Sequence, residues 1–267
     1  MPIFYNPQKS GRGVAKGGPE KKPFFKFFEL FGRKFWKLIL LNLVYIAFCV
    51  PVVTIGPATA ALSHVMRKFV LEQPIFMFGE FVFAFKKNFK QSAAVGIADA
   101  AFILLFFNAL FFFGAREDNV MLAMTMISGV IFTTMNLYIY PQIVCLQLKL
   151  PAIVKNSALL GIVGLKRNAV TVAVFIGIIS LFAFMFPYSV IFIPIAPFSQ
   201  LAFLSVFNAY PVIRKYIVDP YYESRGEKNP ESPDCGESAE QPIFTDLGGK
   251  EAIVNKKKVK IEGRLIK

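Results

Sequence analysis

The residue best suited to chemistry in this sequence is a carboxylate inside a long apolar run. Asp99 stands about seven residues into the run from Ser92 to Phe113. An ionised carboxylate is costly in hydrocarbon, and such residues usually face a cavity or a polar partner. Asp99 is therefore the first candidate for a polar site within a membrane. The alternative is that it snorkels, or bonds to a neighbouring helix, near the interface.

A short turn rich in helix-starting residues is the second candidate. Thr54 can cap the helix that follows, Gly56 lies at the start of that helix, and Pro57 suits its first turn. If the turn lies inside the bilayer, the free N–H groups and the positive dipole end of the helix face a cavity. Such an end attracts an anion or a carbonyl oxygen. The alternative is a tight extracellular turn whose small residues let helices pack closely.

The remaining polar candidates are one histidine and several amides. His64 is the only histidine, and an interhelical hydrogen bond is a commoner role for it than a proton relay. Asn42 and Asn108 complete the candidate polar site because they lie within apolar runs. Five further amides in or beside such runs are interpreted as bonds between helices: Asn136, Gln142, Gln147, Gln200 and Asn208.

Enzymatic chemistry has little support. The three cysteines are scattered without a C-x-x-C pair, and the sequence lacks a G-x-S-x-G motif, a P-loop and a carboxylate pair at metal spacing. We therefore predict no catalytic residue, no cofactor and no metal, and a protein that is not an enzyme. The net charge of +13 would suggest nucleic acid in a soluble protein. Basic flanks of membrane segments explain the charge here, so we expect no nucleic-acid partner.

Membrane helices are the elements that must position these residues. The chain is 55% hydrophobic and only 18% charged, with 31 Phe among its 267 residues. Its apolar segments are too long and too uniformly apolar for half-buried surface helices, so the lipid bilayer is the expected environment. The five apolar runs are Leu38–Val53, Ser92–Phe113, Met121–Tyr140, Ala169–Phe186 and Ser189–Tyr210.

The basic residues order these runs across the membrane. A short helix from Gly56 to Leu71 is too short for a ~30 Å hydrocarbon core. If it nevertheless returns the chain to the cytoplasm, 29 of the 30 Lys and Arg lie on that side and only Arg116 lies outside. We predict an all-α polytopic membrane bundle with six passes in three in-out-in hairpins, the first of them short or re-entrant. The chain is then a multi-pass plasma-membrane protein with both termini cytoplasmic.

Amphipathic connectors and polar tails complete the predicted organisation. Pro74–Lys90 and Pro151–Arg167 mix apolar with basic residues, and Phe24–Trp36 has the same character. We predict that these segments lie as helices at the headgroup level. The predicted domains are a flexible cytoplasmic tail (1–23), a membrane helical domain (24–218) and a polar, flexible cytoplasmic tail (219–267).

Four sequence blocks resemble a known family. They are Gly11–Val14, Phe27–Ile39, Pro51–Leu62 (with T-x-G-P-A-T-A-A-L as its most specific part) and Phe85–Gln91. Together they resemble the YesL family of bacterial integral membrane proteins, a domain of unknown function, over about residues 1–215. Members of that family tend to be encoded beside genes for carbohydrate uptake and polysaccharide degradation. The resemblance therefore implies a context of sugar utilisation and supplies no reaction.

Two functions follow as expectations. The first is a non-catalytic accessory or regulatory component of carbohydrate uptake, with subunits of a sugar transporter as partners. The alternative is a stand-alone small-molecule transporter or channel whose path is lined by Asp99 and by the helix end at Gly56 and Pro57. A membrane enzyme comes third because the catalytic groups are missing.

Overall fold

The computed structural model describes residues 22–146, 148–193, 197–226 and 229. Within these residues all regular secondary structure is helical, which confirms the all-α prediction. The α-helices are α1 Pro23–Phe48, α2 Ile55–Val70, α3 Met77–Ala115, α4 Asn119–Cys145, α5 Leu150–Val163, α6 Leu165–Phe184, α7 Phe198–Ile213 and α8 Asp219–Ser224. Short 3-10 turns cover Val52–Thr54 and Tyr188–Phe192, and a π-helical turn covers Arg214–Val218.

Three of these helices are long and apolar enough to cross a membrane. They are α3, α4 and α6, judged by length and composition. Their large apolar side chains are widely exposed, as lipid-facing surfaces require. Examples from the three helices are Leu104, Phe111, Met124, Ile127, Val170 and Phe184. The chain is therefore a membrane protein.

The structure corrects the prediction of a separate interfacial helix before the second apolar run. Met77–Ala115 is one uninterrupted helix of 39 residues, roughly 58 Å long. Neither Pro nor Gly separates the basic segment from the apolar run, since Lys90 is followed by Gln91 and Ser92. Ser92 also fits inside the helix because its hydroxyl donates to the Asn88 carbonyl at 2.6 Å. The segment Phe24–Trp36 is likewise continuous with the first apolar run, within α1.

The third connector is a helix of its own. α5 ends at Val163 and α6 begins at Leu165, with Gly164 between them. A Cβ on Gly164 would come 2.5 Å from the Tyr138 hydroxyl oxygen and 3.2 Å from the Leu160 carbonyl oxygen. Only glycine lets α4 approach this break so closely.

α2 lies antiparallel to the first half of α3. At one end Gly56 contacts Ser92 and Gly96, and at the other end His64 and Lys68 contact Glu80. α3 then continues beyond Gly96 through residues 97–115, a further rise of roughly 28 Å. α4 accompanies this second half, with the Phe102 and Phe132 rings stacked at 3.8 Å between centroids. The α1–α2 hairpin therefore ends at the middle of α3.

The last apolar run is broken rather than a single span. A 3-10 turn ends at Phe192 and α7 begins only at Phe198, after Pro197. Asn42 of α1 holds the two sides of the break, because its Nδ2 donates to the Ile193 carbonyl at 2.9 Å and its Oδ1 accepts from the Ser199 N–H at 3.2 Å. The kink expected at Pro197 lies at this break, and Pro194 lies outside the described residues.

Helical structure extends into both predicted tails: α1 begins at Pro23, the last residue of the predicted N-terminal tail. The helical path continues past Val218 into α8, Asp219–Ser224, where the polar tail was predicted to begin. The rest of the predicted tails, residues 1–21, 227–228 and 230–267, lie outside the described residues.

The short helix α2 is the most buried helix of the bundle. Small residues on it, including Ala58, Ala60 and Ala61, are fully buried and let neighbouring helices approach closely. α1, α3 and α7 pack around α2 in one apolar cluster, which includes Leu41, Phe81 and Phe203. A second cluster joins α4, α5, α6 and α7 through Tyr138, Leu160, Val172 and Ile213.

Candidate functional site

Asp99 is bonded to the neighbouring helix on both oxygens. Oδ2 accepts from the Tyr140 hydroxyl at 2.6 Å, and Oδ1 accepts from Asn136 Nδ2 at 3.3 Å. Asn136 and Tyr140 stand one turn apart on α4, so they present one face to α3. The half-buried carboxylate of Asp99 thus joins α3 to α4, which agrees with the alternative interpretation that Asp99 bonds to a neighbouring helix.

An inner cavity opens on the other side of Asn136 and Tyr140. Its volume is ≈ 220 Å³, and it lies between α1, α2, α4, α6 and α7. The polar residues of its wall are Tyr45, Thr59, Ser63, Thr133, Asn136, Tyr140 and Ser205. Asp99 does not line this cavity but fixes two residues that do. A cavity whose mainly apolar wall carries seven polar side chains therefore lies behind Asp99.

A second, outer cavity shares a wall with the first. It measures ≈ 420 Å³ and is lined by Tyr45, Ile46, Cys49, Val50, Ile55, Ile193 and Phe198. Tyr45 and Phe198 belong to both cavities, and their ring centroids are 5.5 Å apart. Val50 is 79% exposed and stands at the tip of the α1–α2 hairpin. The two aromatic rings therefore stand where the inner cavity, with seven polar side chains in its wall, adjoins the apolar outer cavity beneath the exposed hairpin tip.

Thr54, Gly56 and Pro57 form a packing turn and line neither cavity, although Ile55 between them lines the outer one. Thr54 does not cap α2 with its side chain, which corrects that prediction; its hydroxyl lies 2.6 Å from the Phe48 carbonyl oxygen and 2.5 Å from that of Pro51. Pro57 does lie in the first turn of α2, as predicted. A Cβ on Gly56 would stand 2.1 Å from the Ser92 carbonyl oxygen. This contact fits the alternative interpretation, a turn of small residues for close helix packing.

His64 belongs to a separate charged cluster between α2 and α3. Its Nε2 lies 3.1 Å from Oε2 of Glu80, while Lys68 Nζ lies 2.6 Å from the other oxygen of the same carboxylate. These residues line a groove of ≈ 430 Å³ that also includes Phe76 and Phe83. Glu80 thus bridges two side chains of α2, and the histidine makes the interhelical bond expected of it.

The two remaining site candidates have different surroundings. Asn42 is fully buried and clamps the break before α7, close to the inner cavity. Asn108 is exposed and donates to the Leu104 carbonyl of its own helix at 2.8 Å. Asn108 therefore lies apart from the site.

The other predicted amides join helices where the structure describes their bonds. Gln142 donates to Ser157 Oγ at 2.9 Å and links α4 to α5. Asn208 accepts from Arg167 Nε at 2.5 Å and donates to the Arg167 carbonyl at 2.8 Å, which links α6 to α7. Gln147 lies outside the described residues.

A basic residue closes the base of the α1–α2 hairpin. Lys34 Nζ donates to the Phe69 carbonyl at 2.6 Å and lies 4.6 Å from the centre of the Phe69 ring. Burial and, to a smaller extent, the neighbouring charge of Arg33 lower the pKa of Lys34 to about 8. Arg33 forms an ion pair with Glu72 beside it. These contacts fix the middle of α1 to the end of α2.

Sequence reasoning missed most of the cavity wall. Tyr45, Thr59, Ser63 and Tyr140 were not candidates, and Asn136 was interpreted only as a bond between helices. A periodic signal was present, because Thr59 and Ser63 are four residues apart on α2, and Asn136 and Tyr140 are four apart on α4. Such pairs place polar groups on one helix face. The structure describes no group of three or more His, Cys, Asp or Glu residues that could hold a metal ion.

Comparison with known proteins finds a family match that extends from α1 into α3. Residues 38–110, from the middle of α1 into α3, match the family described as "Protein of unknown function, DUF624". This is a DUF624-like region. The chain is also 28% identical over 110 residues to "Uncharacterized protein YesV" of Bacillus subtilis (strain 168). That match covers 40% of this chain and 53% of the relative, so it spans about half of the relative's length. No solved structure matches the chain.

Proposed function

We propose that this protein is a non-catalytic membrane component of carbohydrate uptake or utilisation that acts as an accessory or regulator of a sugar transporter. The carbohydrate context comes from the resemblance of the quoted blocks to the YesL family, within and beyond the DUF624-like region. The structural support is the form of α3, which carries a basic surface directly into a membrane-crossing helix.

The basic surface consists of Lys86, Lys87 and Lys90, all exposed on the first half of α3. The opposite side of this segment buries Phe81 and Ala84 against α2 and α1. Because the segment is part of one continuous helix, the backbone that carries the three lysines is held next to the membrane. Such a surface fits an acidic cytoplasmic surface on a transporter subunit, since charge complementarity favours and orients association.

Co-purification from native membranes tests this proposal. Tagged full-length protein is expected to recover transporter subunits, and the triple substitution Lys86→Gln, Lys87→Gln and Lys90→Gln is expected to reduce the recovery several-fold. The control is the triple Lys→Arg variant, which keeps the charge and should recover the same subunits. A topology reporter at the C-terminus verifies that the Gln variant inserts normally. Failure of the wild-type protein to recover any transporter subunit after crosslinking would contradict the proposal.

The proposed membrane arrangement places both termini in the cytoplasm of a bacterial plasma membrane. It is supported by the distribution of basic residues and by the polar turn Arg116–Asp118 between α3 and α4. We propose the six-pass path in its shallow form, in which the α1–α2 hairpin enters the membrane and returns to the same side. Whether the first hairpin is re-entrant or makes two full passes, it returns the chain to the cytoplasm before α3. The distribution of basic residues therefore agrees equally well with both paths.

A stand-alone transporter is the second candidate, and the inner cavity is the observation that favours it. A transport path would use the wall formed by Asn136 and Tyr140, which Asp99 holds in place. Flux of a labelled sugar into proteoliposomes tests this function. Flux that Asp99→Asn reduces and Asn108→Leu leaves unchanged would support transport. Absence of flux for every sugar tried would argue against it.

A further inference from the structure

The two cavities that meet at Tyr45 and Phe198 differ in chemistry. The inner cavity is lined by seven polar and seven apolar residues and no charged side chain, whereas Tyr45 and Cys49 bring the few polar side-chain atoms of the outer cavity. The outer cavity lies beneath the hairpin tip, where Val50 and Ile55 are exposed. A ligand that fills both spaces must therefore have a polar part without a net charge and an apolar part that reaches the surface.

The hydroxyl groups of the inner wall are arranged as hydrogen-bond acceptors. Ser63 Oγ donates to the Thr59 carbonyl at 2.9 Å, and Thr133 Oγ1 donates to the Gly129 carbonyl at 2.8 Å. The Tyr140 hydroxyl donates to Asp99. Each hydroxyl has one proton, so these three groups have only lone pairs left to offer a ligand.

Tyr45 follows the same rule. Thr59 Oγ1 donates to the Ile55 carbonyl at 2.8 Å, so in its 3.1 Å contact with the Tyr45 hydroxyl it can only accept. The Tyr45 proton is therefore also used within the protein. These four hydroxyls of the inner wall therefore offer acceptors to a ligand that brings several O–H donors, which is the property of a sugar or polyol head group.

We propose that the two cavities form one binding site for a neutral glycolipid, with the hydroxylated head in the inner cavity and the start of the hydrocarbon tail in the outer cavity. The inner volume of ≈ 220 Å³ lies below the range of roughly 300–1,000 Å³ typical of sites for drug-sized ligands, so it admits a single head group. Tyr45 and Phe198 flank the junction of head and tail. This site requires neither transport nor a transporter subunit, so it stands apart from the functions proposed above.

Asn42 is a positioning residue for this site. It holds the start of α7 by accepting from the Ser199 N–H, and Phe198 is the residue before Ser199. Asp99 has the same relation to the other side of the cavity, because it fixes the direction of the Tyr140 proton. Two polar residues behind the wall therefore control the position of Phe198 and the acceptor character of Tyr140.

Binding of a defined lipid to the full-length protein tests the proposal. The probe is monoglucosyl diacylglycerol, presented to protein in phosphatidylcholine nanodiscs, and its binding is followed by native mass spectrometry. Thr133→Val removes one acceptor and is expected to weaken binding about 3- to 10-fold, the effect of one hydrogen bond. The matched control is Thr134→Val, because Thr134 makes the same 2.8 Å bond within α4 but does not line either cavity.

Protection of Cys49 gives a second readout, which reports on the tail. Cys49 lines the outer cavity and Cys145 does not, so in a variant with Cys145→Ser and Cys235→Ser only Cys49 reacts with a small membrane-permeant maleimide. Monoglucosyl diacylglycerol is expected to slow this reaction several-fold, and free glucose is expected not to. Equal protection by glucose, equal binding of phosphatidylglycerol or phosphatidylethanolamine, or equal losses in the Thr133 and Thr134 variants would each overturn the proposal.

Discussion

At the scale of single residues, polar side chains in this protein follow two patterns of hydrogen bonding. Some donate to a carbonyl of their own helix, as Asn108 does at 2.8 Å, and contribute nothing to contacts between helices. Others bond across helices, as Asp99 does with Tyr140. Sequence alone does not separate the two patterns, because both place a polar residue within an apolar run.

The bond between Asp99 and Tyr140 should contribute measurably to stability. Tyr140→Phe removes a 2.6 Å bond and is expected to lower the free energy of unfolding by about 0.6 kcal/mol, the average for interhelical bonds in membranes, and by no more than about 1.7 kcal/mol, the largest value. Unfolding in SDS followed by circular dichroism provides the measurement. In a double-mutant cycle, Tyr140→Phe should cost much less when Asp99 is already Leu. Equal costs in both backgrounds would show that the two side chains do not interact.

Lys34 should make stability depend on pH in the alkaline range. Its pKa in the folded protein is about 8, against 10.5 as the ordinary value. Between these values the unfolded chain binds more protons than the folded chain, so the free energy of unfolding rises with pH. Thermal unfolding in detergent from pH 8 to pH 10.5 should show a steeper rise for the wild-type protein than for Lys34→Met. Parallel curves would contradict the assignment.

At the scale of elements, the crossing of α2 and α3 depends on two glycines. A Cβ on Gly56 would lie 2.1 Å from the Ser92 carbonyl oxygen, and a Cβ on Gly96 would lie 2.7 Å from Gly56 Cα. Both obstacles are backbone atoms, which do not move aside as a flexible side chain does. The T-x-G-P-A-T-A-A-L block therefore marks the helix that must come closest to its neighbours.

Substitution at this crossing should destabilise the protein more than substitution of other glycines. Gly56→Ala is expected to cost about 1–3 kcal/mol through overpacking. Gly177→Ala is the control, since a Cβ there meets no atom within 4 Å and helix propensity alone predicts a gain of about 0.5–1 kcal/mol. Equilibrium unfolding of both variants measures the difference. A neutral Gly56→Ala variant would show that α2 and α3 are not in such close contact.

The sequence was sufficient to predict the helices that contain long apolar runs, but it was insufficient to predict where one helix ends and the next begins. The helical class, the spans within α3, α4 and α6 and the polar turn at Arg116 follow from composition and length. The continuity of α3 and the break before α7 do not follow from composition and length. The break, for example, is held by Asn42, which lies 151 residues from its partner Ile193 in the sequence. The cavity wall was missed for the same reason, since it combines residues from five helices.

At the scale of the whole molecule, the first hairpin is shorter than the helix on which it lies. Its tip is level with Gly96, and α3 continues beyond it by roughly 28 Å, close to the ~30 Å thickness of a hydrocarbon core. A tip at this level, with Val50 and Val52 exposed by 79% and 71%, suits apolar surroundings near the cytoplasmic side. This geometry supports the shallow form of the proposed path, in which the tip of the first hairpin lies near the cytoplasmic edge of the hydrocarbon core and the chain returns to the same side.

Labelling of single cysteines tests this path. In a chain without its own cysteines, Glu117→Cys lies in the polar turn after α3 and is expected to react with an impermeant maleimide added outside intact cells. Val52→Cys is expected to remain unlabelled under the same conditions. Labelling of both positions from outside would show instead that the first hairpin crosses the membrane completely.

The Gly56–Gly96 contact has a mechanical consequence. Gly96 stands midway between Met77 and Ala115, the two ends of α3. If the helix tilts as a rigid rod about this contact, its two ends move by equal distances in opposite directions. The contact is then a pivot midway along the helix. Glu80 near one end is also bound to His64 and Lys68 of α2, so a tilt that moves the turn at Arg116 must stretch these contacts as well.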